Sequence, residues 1–416
     1  MEGWITKTIG DLCNASKSIV KTGPFGSQLH QSDYQDEGTP VVMPSNIINW
    51  KIDESSIARV SASHVDRLHK HKLSKNDIVY GRRGDIGRQA MVKESQAGWL
   101  CGTGCLRITL KDSPLEPPFL HYYLQMPEIV SWIENQAIGA TMPNLNTEIL
   151  KRVPVSYPEN KNTQRVVTAI LFAYDELIEK NNRRIAILEK MAEEIYQEWF
   201  VRMRFPGHEK FKIVKGVPEG WGIKKLNEVA DITYGFPFNG SRFNSEGIGN
   251  PIIRIRNIPD SSITDFTDEH ANEKYIIKKG DLLIGMDGEF HINHWYSDDA
   301  YLVQRTCKIE AKDPIHKGYL AKAIYAPVKF FESILQGATV GHLGAKHLNS
   351  IDIIIPPNEI DISIFNQLLE QKVRIASSNN LLRTFRDRLL TRLMSGKLDV
   401  ENLDIRFPKS MEEKLA

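Results

Sequence analysis

Two stretches of the chain repeat apolar side chains at alternating steps of four and three residues. The first stretch follows Pro158, and the second lies between Pro356-Pro357 and Gly396. This heptad pattern predicts long helices that pack through an apolar seam. The first seam consists of Val167, Leu171, Tyr174, Ile178, Asn181, Ile185, Leu188, Ala192, Ile195 and Trp199. The second consists of Phe365, Leu368, Ile375, Asn379, Leu382, Leu389 and Leu393, and it is interrupted by Lys372 and Arg386.

The predicted helices run from about residue 163 to 201 and from about 361 to 397. A helix of ~38 residues is ~57 Å long at 1.5 Å per residue, which favours a coiled pair over an ordinary core-facing helix. The rest of the chain has the short apolar runs and turn residues of a mixed α/β protein. Helical stretches are expected at Phe119–Gln136 and Tyr319–Gln336. Strands are expected at Pro40–Met43, Asp77–Tyr80, Leu106–Leu110, Val153–Val155, Ile252–Ile255, Asp281–Ile284, Cys307–Ile309 and Ile351–Ile355.

The two halves of the chain are an internal repeat. Short motifs of the first half return in the same order, at offsets that fall from 217 to 211, 204 and finally 198 residues. Loops tolerate such length changes and packed helices do not, so each repeat is a globular unit followed by a helix of fixed length. The matched motifs are Glu2-Gly3-Trp4 with Glu219-Gly220-Trp221, Pro40-Val41-Val42 with Pro251-Ile252-Ile253, Asp77–Gly81 with Asp281–Gly285, Gly139-Ala140-Thr141 with Gly337-Ala338-Thr339, and Asn181-Asn182 with Asn379-Asn380.

Composition narrows the class of protein. The chain has 416 residues, with 53 Lys and Arg against 52 Asp and Glu, so only local clustering of charge could attract a nucleic acid. The longest apolar run, about 166–174, is shorter than the ~20 residues of a membrane span. The N-terminus lacks a signal-peptide pattern, and four scattered cysteines do not suggest a disulfide scaffold, which together predict a cytoplasmic protein.

Motifs for catalysis and cofactor binding are incomplete. Glu116-Pro117-Pro118-Phe119 has the wrong first residue for an adenine-amino methyltransferase, and Gly102-Thr103-Gly104 lacks the third glycine of a dinucleotide loop. His291 and His294 have no obvious carboxylate or Cys partner, which favours surface or loop histidines. We therefore expect no catalytic site, no metal site and no cofactor site in this chain.

A basic glycine-rich loop is the strongest candidate for binding. Residues 51–93 hold ten Lys or Arg against five Asp or Glu, and include the segment Gly81–Arg88. Glycines allow close backbone approach and arginines reach phosphates or guanine edges, although a solvated turn would have the same composition. The second copy, Gly285–His294, keeps the glycines and changes the side chains between them. Shared glycines with different side chains are what we expect of two recognition domains that have a common scaffold and different sequence preferences.

The whole chain resembles the specificity subunit of type I restriction-modification enzymes. The most specific stretch is 157–201, with a Pro-rich entry, an Ile/Leu-rich helix, an Asn-Asn/Arg centre and a terminal Trp-Phe-Val. The chain departs from the family pattern in two places. Asn162-Thr163-Gln164 stands where Glu-Gln is usual, and the C-terminal helix is less regular. The resemblance implies an α+β fold with a pseudo-two-fold repeat, in which two long antiparallel helices join and separate two target-recognition domains. The expected segments are a first recognition domain (1–156), a central helical region (157–203), a linker with the second recognition domain (204–356) and a C-terminal helical region (357–416).

The same resemblance implies a non-catalytic subunit that reads a bipartite site in double-stranded DNA. Two methyltransferase subunits would bind S-adenosylmethionine (SAM), and restriction subunits would bind ATP and Mg²⁺, with no membrane involved. The rival reading is a two-domain scaffold with a coiled-coil spacer that binds a ligand other than DNA. The residues expected to contact DNA are Arg82, Arg83, Arg88 and Asn46 in the first domain, and Asn257, Met286, Asp287, His291 and Asn293 in the second.

Asn181 and Asn379 are expected to pair across the helix seam. They are equivalent residues of the repeat, and each lies near the middle of its helix. Equivalent central residues of an antiparallel pair meet at the pseudo-two-fold axis, where two amides can satisfy each other. We predict that this pair fixes the register of the helices, against the alternative that both side chains point to solvent.

Overall fold

The computed structural model describes residues 3–82, 84, 86–137, 144–214, 216–335, 341–400 and 403. They form two compact units, one of residues 1–176 with 384–416 and the other of residues 177–383. The two Gly-Ala-Thr motifs of the repeat and Arg83 lie outside the described residues. The finer division of the chain into four segments remains a prediction.

Short strands and helices make up the first unit up to the first long helix. Thr8 and Asn146 each precede a short helix, and their side chains accept hydrogen bonds from backbone N–H groups of its first turn. The strands are β1 (Trp4–Thr8), β2 (Ile19–Thr22), β3 (Thr39–Val42), β4 (Ile47–Ile48), β5 (Lys51–Ile52), β6 (Arg59–Val60), β7 (Ile78–Gly81), β8 (Gln89–Met91), β9 (Leu100–Cys101), β10 (Cys105–Thr109) and β11 (Pro154–Pro158). The helices are α1 (Ile9–Ala15), α2 (Ala62–Arg67), α3 (Pro117–Tyr123), α4 (Pro127–Gln136) and α5 (Thr147–Arg152).

The second unit contains a similar series of elements. Its strands are β12 (Ile213–Val214), β13 (Val217–Pro218), β14 (Gly222–Lys225), β15 (Ala230–Tyr234), β16 (Phe243–Asn244), β17 (Asn250–Ile253), β18 (Asp265–Thr267), β19 (Ile276–Ile277), β20 (Leu282–Gly285), β21 (Ile292–His294), β22 (Ala300–Leu302), β23 (Thr306–Ala311) and β24 (Asp352–Ile355). Its short helices are α7 (Leu226–Val229) and α9 (Ala345–Ser350), and α8 (Lys317–Leu335) is longer.

Sheet topology confirms the internal repeat. The first unit has an antiparallel sheet in the order β2-β10-β7-β8, and the second has one in the order β15-β23-β20-β21. In both units the strand that opens the domain pairs antiparallel with the strand that closes it, β1 with β11 and β14 with β24. A second sheet in each unit contains one parallel pair, β3 with β9 and β17 with β22. The fold is therefore two copies of one mixed α/β domain.

Two long helices complete the structure. The first, α6, runs Lys161–Tyr196 and continues as a π-helical turn over Gln197–Val201. The second, α10, runs Ser363–Met394. Both predicted helices are confirmed to within a few residues at each end. The boundary between the two units falls within each helix, at residues 176/177 and 383/384.

Contacts between α6 and α10 show that they run antiparallel. In the second unit Asn181 contacts Asn379 and, eight residues further along α6, Glu189 contacts Lys372. Moving along α6 thus moves backwards along α10 by nearly the same number of residues. In the first unit the contact between Asp175 and Arg386 falls in the same register.

The helical stretches expected before the two Gly-Ala-Thr motifs are present in both repeats, but only the second is continuous. In the first repeat Leu124–Met126 separates α3 from α4, which begins at Pro127. In the second repeat α8 is continuous and contains Pro327. Proline lacks an N–H and crowds the preceding turn, so a helix ends or bends there unless tertiary packing supports it. The local sequence pattern does not reveal which of these two outcomes the packing selects.

A close approach between α8 and α10 generates a stability prediction. A Cβ atom on Gly318 would lie 2.3 Å from the carbonyl oxygen of Phe365, and the Gly318 N–H donates to Asn366 Oδ1 at 2.7 Å. We expect Gly318→Ala to destabilise the second unit by ~1–3 kcal/mol, because backbone on both sides would have to move. Urea unfolding measures the loss. Gly222→Ala is the matched control, since its nearest neighbour is 4.0 Å away, and equal effects would contradict the steric argument.

Candidate nucleic-acid interface

Glycine-containing loops meet at one edge of the first domain. They follow β2, β7 and β9, include the predicted segment Gly81–Arg88, and contact the end of β3. Backbone hydrogen bonds hold them together, and Gly23 and Gly102 approach so closely that a Cβ on Gly23 would lie 2.1 Å from the Gly102 oxygen. Glycine is required for such contact. The joining bonds are Gly23 N–H to Cys105 O at 2.9 Å, Arg82 N–H to Gly104 O at 2.8 Å and Gly102 N–H to Val42 O at 2.9 Å.

The second domain brings equivalent loops to the equivalent edge. The loop after β20 contacts the turn before β23 and the segment before α9. The joining bonds are Gly235 N–H to Thr306 O at 3.0 Å, Met286 N–H to Arg305 O at 2.9 Å and Leu343 N–H to Met286 O at 2.7 Å. Each domain thus presents a loop edge held by similar backbone hydrogen bonds, whose side chains differ between the repeats.

The arginines of the first loop differ in environment. Arg82 is half-buried, and its Nε donates to Asn144 Oδ1 at 3.0 Å and to Leu145 O at 3.1 Å. Arg88 is exposed at the other end of the loop, where the Gly81 N–H donates to its carbonyl oxygen at 2.9 Å. Arg83 lies outside the described residues. Arg82 therefore helps to hold the loop, whereas Arg88 is an exposed residue at the end of the loop. DNA contact by these residues remains a prediction.

Asn46 and Asn257 form equivalent local turns rather than exposed surface. Asn46 is 4% exposed, and its Oδ1 accepts from the Met43 N–H at 2.9 Å. Asn257 is 1% exposed; its Oδ1 accepts from the Arg254 N–H at 2.9 Å and its Nδ2 donates to Thr264 Oγ1 at 2.8 Å. Asparagine side chains commonly close turns in this way. The structure thus places both side chains inside these turns rather than on the surface, and DNA contact by them remains a prediction.

The remaining candidates of the second domain divide into inward and outward groups. Met286 is buried in the core, and Asn293 contacts backbone carbonyls and Lys372, so neither points to the loop surface. Asp287 accepts from Arg305 Nη1 at 2.7 Å and pairs with His342 at 2.5 Å. His291 is half-buried, with Nδ1 3.5 Å from Glu289. Only Asp287 and His291 stay near the loop surface.

Several exposed side chains at these edges were missed from the sequence. Phe25 is 60% exposed in the loop that follows β2, and Arg305 is exposed beside Asp287. Exposed aromatic and arginine side chains are common in nucleic-acid contacts. The signal for Phe25 was present in Gly23-Pro24-Phe25-Gly26, a glycine-flanked aromatic. Arg305 lacked a comparable signal, because its left-handed backbone (φ 67°) and its pairing with Asp287 depend on tertiary contacts.

The histidine pair of the second domain is also placed differently from expectation. His294 is buried rather than at the surface, and burial, followed by nearby Lys372 and Lys317, lowers its pKa to about 3. It is therefore neutral at physiological pH. Within the described ranges the structure contains no group of three His, Cys, Asp or Glu side chains that could hold a metal ion. In the same part of the chain, no helix is long and apolar enough to cross a bilayer.

The two seam asparagines face each other in the second unit. Asn181 Nδ2 donates to Asn379 Oδ1 at 2.9 Å, and Asn379 Nδ2 donates to Asn182 Oδ1 at 2.9 Å. Both seam residues are buried, so the amides satisfy groups that water does not reach. The geometry has the expected pairing of amides, and the control of helix register by that pairing remains a prediction.

Comparison with known proteins identifies the family. The family described as "Type I restriction modification DNA specificity domain" matches residues 1–190 and 218–378. The type I restriction enzyme MjaIX specificity subunit of Methanocaldococcus jannaschii is 24% identical over 95% of this chain and 93% of its own length. The EcoBI specificity subunit of Escherichia coli is 31% identical over 45% of this chain and 41% of its own.

A solved structure has the same fold. The S subunit of a type I restriction-modification system from Mycoplasma genitalium aligns with 94% of this chain and 96% of its own, with a TM-score of 0.57 and 20% identity. Since two copies of the domain cover most of the sequence, the chain belongs to the family of type I restriction-modification DNA specificity subunits.

Proposed function

We propose that each domain of this chain reads one half of a bipartite site in double-stranded DNA. The observation that carries the proposal is the equivalent loop edge in both domains, built on one sheet order but with different side chains. A shared backbone supplies a common docking geometry, and changed side chains supply a different sequence preference. The first edge includes Phe25 and Arg88, whereas the second includes Asp287 and Arg305.

In this proposal the chain also assembles the enzymatic complex. Two methyltransferase subunits bind the chain and carry SAM, and restriction subunits carry ATP and Mg²⁺, so the chemistry belongs to the partners. The complex would then be an adenine methyltransferase and an ATP-dependent endonuclease. Support comes from the family membership and from the incomplete cofactor and catalytic motifs in the sequence.

The long helices would set the distance between the two half-sites. The 36 residues of α6 correspond to ~54 Å at 1.5 Å per residue. One turn of duplex is ~34 Å, so helices of this length suit two half-sites separated by unread base pairs. The number of unread base pairs would then follow from the helix register.

The complete methyltransferase complex provides the direct test. We expect cells that carry this chain with its methyltransferase partner to acquire methylated adenines in one two-part sequence, which methylome sequencing detects. The purified chain alone should transfer no methyl group from labelled SAM, and this reaction is the control. Methylation by the isolated chain would contradict the assignment of chemistry to the partners. Absence of a two-part motif would favour a scaffold that binds another ligand.

A second prediction concerns the basic loop of the first domain. We expect the triple substitution of Arg82, Arg83 and Arg88 by Ala to weaken DNA binding by the assembled complex. Each lost phosphate contact should also reduce the slope of log affinity against log salt by about 0.9. Fluorescence anisotropy across a salt series measures both quantities. Lys17→Ala is the control, because Lys17 already pairs with Asp112 at 3.1 Å, away from the loop. An unchanged slope would assign the arginines to a solvated turn.

A third prediction concerns helix register. We expect Asn181→Leu with Asn379→Leu to keep or raise the unfolding free energy, since two leucines pack well in an apolar seam. Asn181→Leu alone should cost ~1–3 kcal/mol, because Asn379 Oδ1 then lacks its buried donor.

The functional readout of the same variants is the spacer between the half-sites. A methylation assay on sites with spacers of different length should show broader tolerance for the double variant. A strictly unchanged spacer preference would refute the register role even if the stability effects are as expected.

A further inference from the structure

Two cations interrupt the apolar seam of α10 in a similar way. Lys372 and Arg386 occupy positions where an apolar side chain would pack against α6. Burying a cation costs free energy unless an opposite charge and hydrogen bonds compensate. Each of these two contacts a carboxylate from α6 and an amide side chain from its own recognition domain. The two sets lie in different units, so the arrangement occurs twice.

In the first unit, Arg386 joins α6 to the recognition domain. Its Nε lies 3.2 Å from Asp175 Oδ1, an ion pair rather than a well-directed hydrogen bond. Its Nη2 donates to the side-chain oxygen of Gln125, which lies between α3 and α4. Only 9% of the Arg386 side chain is exposed. The guanidinium is therefore held by the protein on both sides.

From Gln125, buried hydrogen bonds continue into the sheet. Gln125 Nε2 lies 2.9 Å from His121 Nε2, His121 Nδ1 lies 2.8 Å from Gln89 Oε1, and Gln89 Nε2 donates to the His121 carbonyl at 2.8 Å. A guanidinium can only donate, so Gln125 must turn its oxygen to Arg386 and its NH₂ to His121. His121 then accepts at Nε2 and donates from Nδ1. Between side chains, each residue from Arg386 onward thus donates to the next, and the series ends at Gln89.

The series ends at the base of the glycine loop. Gln89 is the first residue of β8 and directly follows Arg88. The loop is closed at this point by the bond from the Gly81 N–H to the Arg88 carbonyl. A shift of Gln89 would therefore move the end of the loop that carries Arg88.

In the second unit, a single residue, Asn293, connects Lys372 to the loop. Lys372 Nζ lies 2.7 Å from Glu189 Oε1 and donates to Asn293 Oδ1 at 3.0 Å. Asn293 belongs to β21, which follows a loop closed by the Gly285 N–H and the His291 carbonyl at 2.9 Å. Its Nδ2 donates to the Pro259 carbonyl at 2.9 Å, next to the turn of Asn257. Lys372 is thus connected to the loop between β20 and β21 and to the segment that follows the turn of Asn257.

We propose that Arg386 and Lys372 are positioning residues, each for one half of the DNA site. Arg386 fixes the loop of the first domain on its helices, and Lys372 fixes the loops of the second. Base readout requires side chains held within a fraction of an ångström, so a loosened support should reduce discrimination more than overall binding. This inference rests on the proposed function, and it assigns separate half-sites to two residues of one helix.

The test uses the assembled methyltransferase complex and a plasmid library with single base changes throughout its methylated site. We expect Arg386→Met to relax discrimination in one half-site by about tenfold, equivalent to ~1.4 kcal/mol, and to leave the other half unchanged. Gln125→Met, which interrupts the series but keeps the Asp175 ion pair, should affect the same half. Lys372→Met should affect the opposite half.

Controls separate positioning from stability and from the proposed function. Arg388→Met changes an exposed arginine of α10 and should leave both halves as in the wild type. Arg386→Lys keeps the charge beside Asp175 and should restore part of the discrimination. Equal relaxation of both halves, or no relaxation, would overturn the inference. If the wild-type complex itself shows no two-part site, the proposed function fails instead.

Discussion

Each hydrophobic core is completed by a helix end that comes from the other half of the sequence. Leu390, Leu393 and Met394 of α10 pack in the first core with residues of the first domain. Phe200, at the end of the first long helix, packs in the second core, where its ring centroid is 4.4 Å from that of Tyr319. Full burial of such side chains contributes ~1.5–3 kcal/mol each. Each unit therefore depends on a helix that begins in the other sequence repeat.

Polar residues within the helix seam form contacts that depend on the alignment of α6 with α10. An apolar heptad seam can slip by seven residues and still bury similar side chains. The asparagine pair, Lys372 with Glu189, and Arg386 with Asp175 find their partners in one common alignment. A slip by one heptad would separate these partners, which is why we predict that they select the alignment. Lys372 and Arg386 also contact side chains of the recognition domains, Asn293 and Gln125 respectively.

The repeat, the long helices and eight of the strands could be predicted from the sequence because periodicity and repeated spacing report them directly. Strand β7, for example, was expected one residue from where it begins. The break before Pro127 and the continuity through Pro327 could not be predicted, because a proline within a helical pattern has opposite outcomes in the two repeats. At the candidate interface the sequence identified the loops but not side-chain direction. Asn46, Asn257, Met286 and Asn293 all lie in or beside the loops of the candidate interface and turn inward, which only tertiary contacts decide.

The exchange of helix ends affects the order in which the protein can fold during synthesis. The first core includes Leu393, Met394 and Val400, near the C-terminal end of the described chain. Domains usually fold as units when their sequence has emerged from the ribosome, beginning at the N-terminus. Here the second unit, which ends at residue 383, has all of its residues available before the first unit does. The apolar packing of the N-terminal domain can therefore be completed only after residues 390–400 have been made, later than every residue of the second unit.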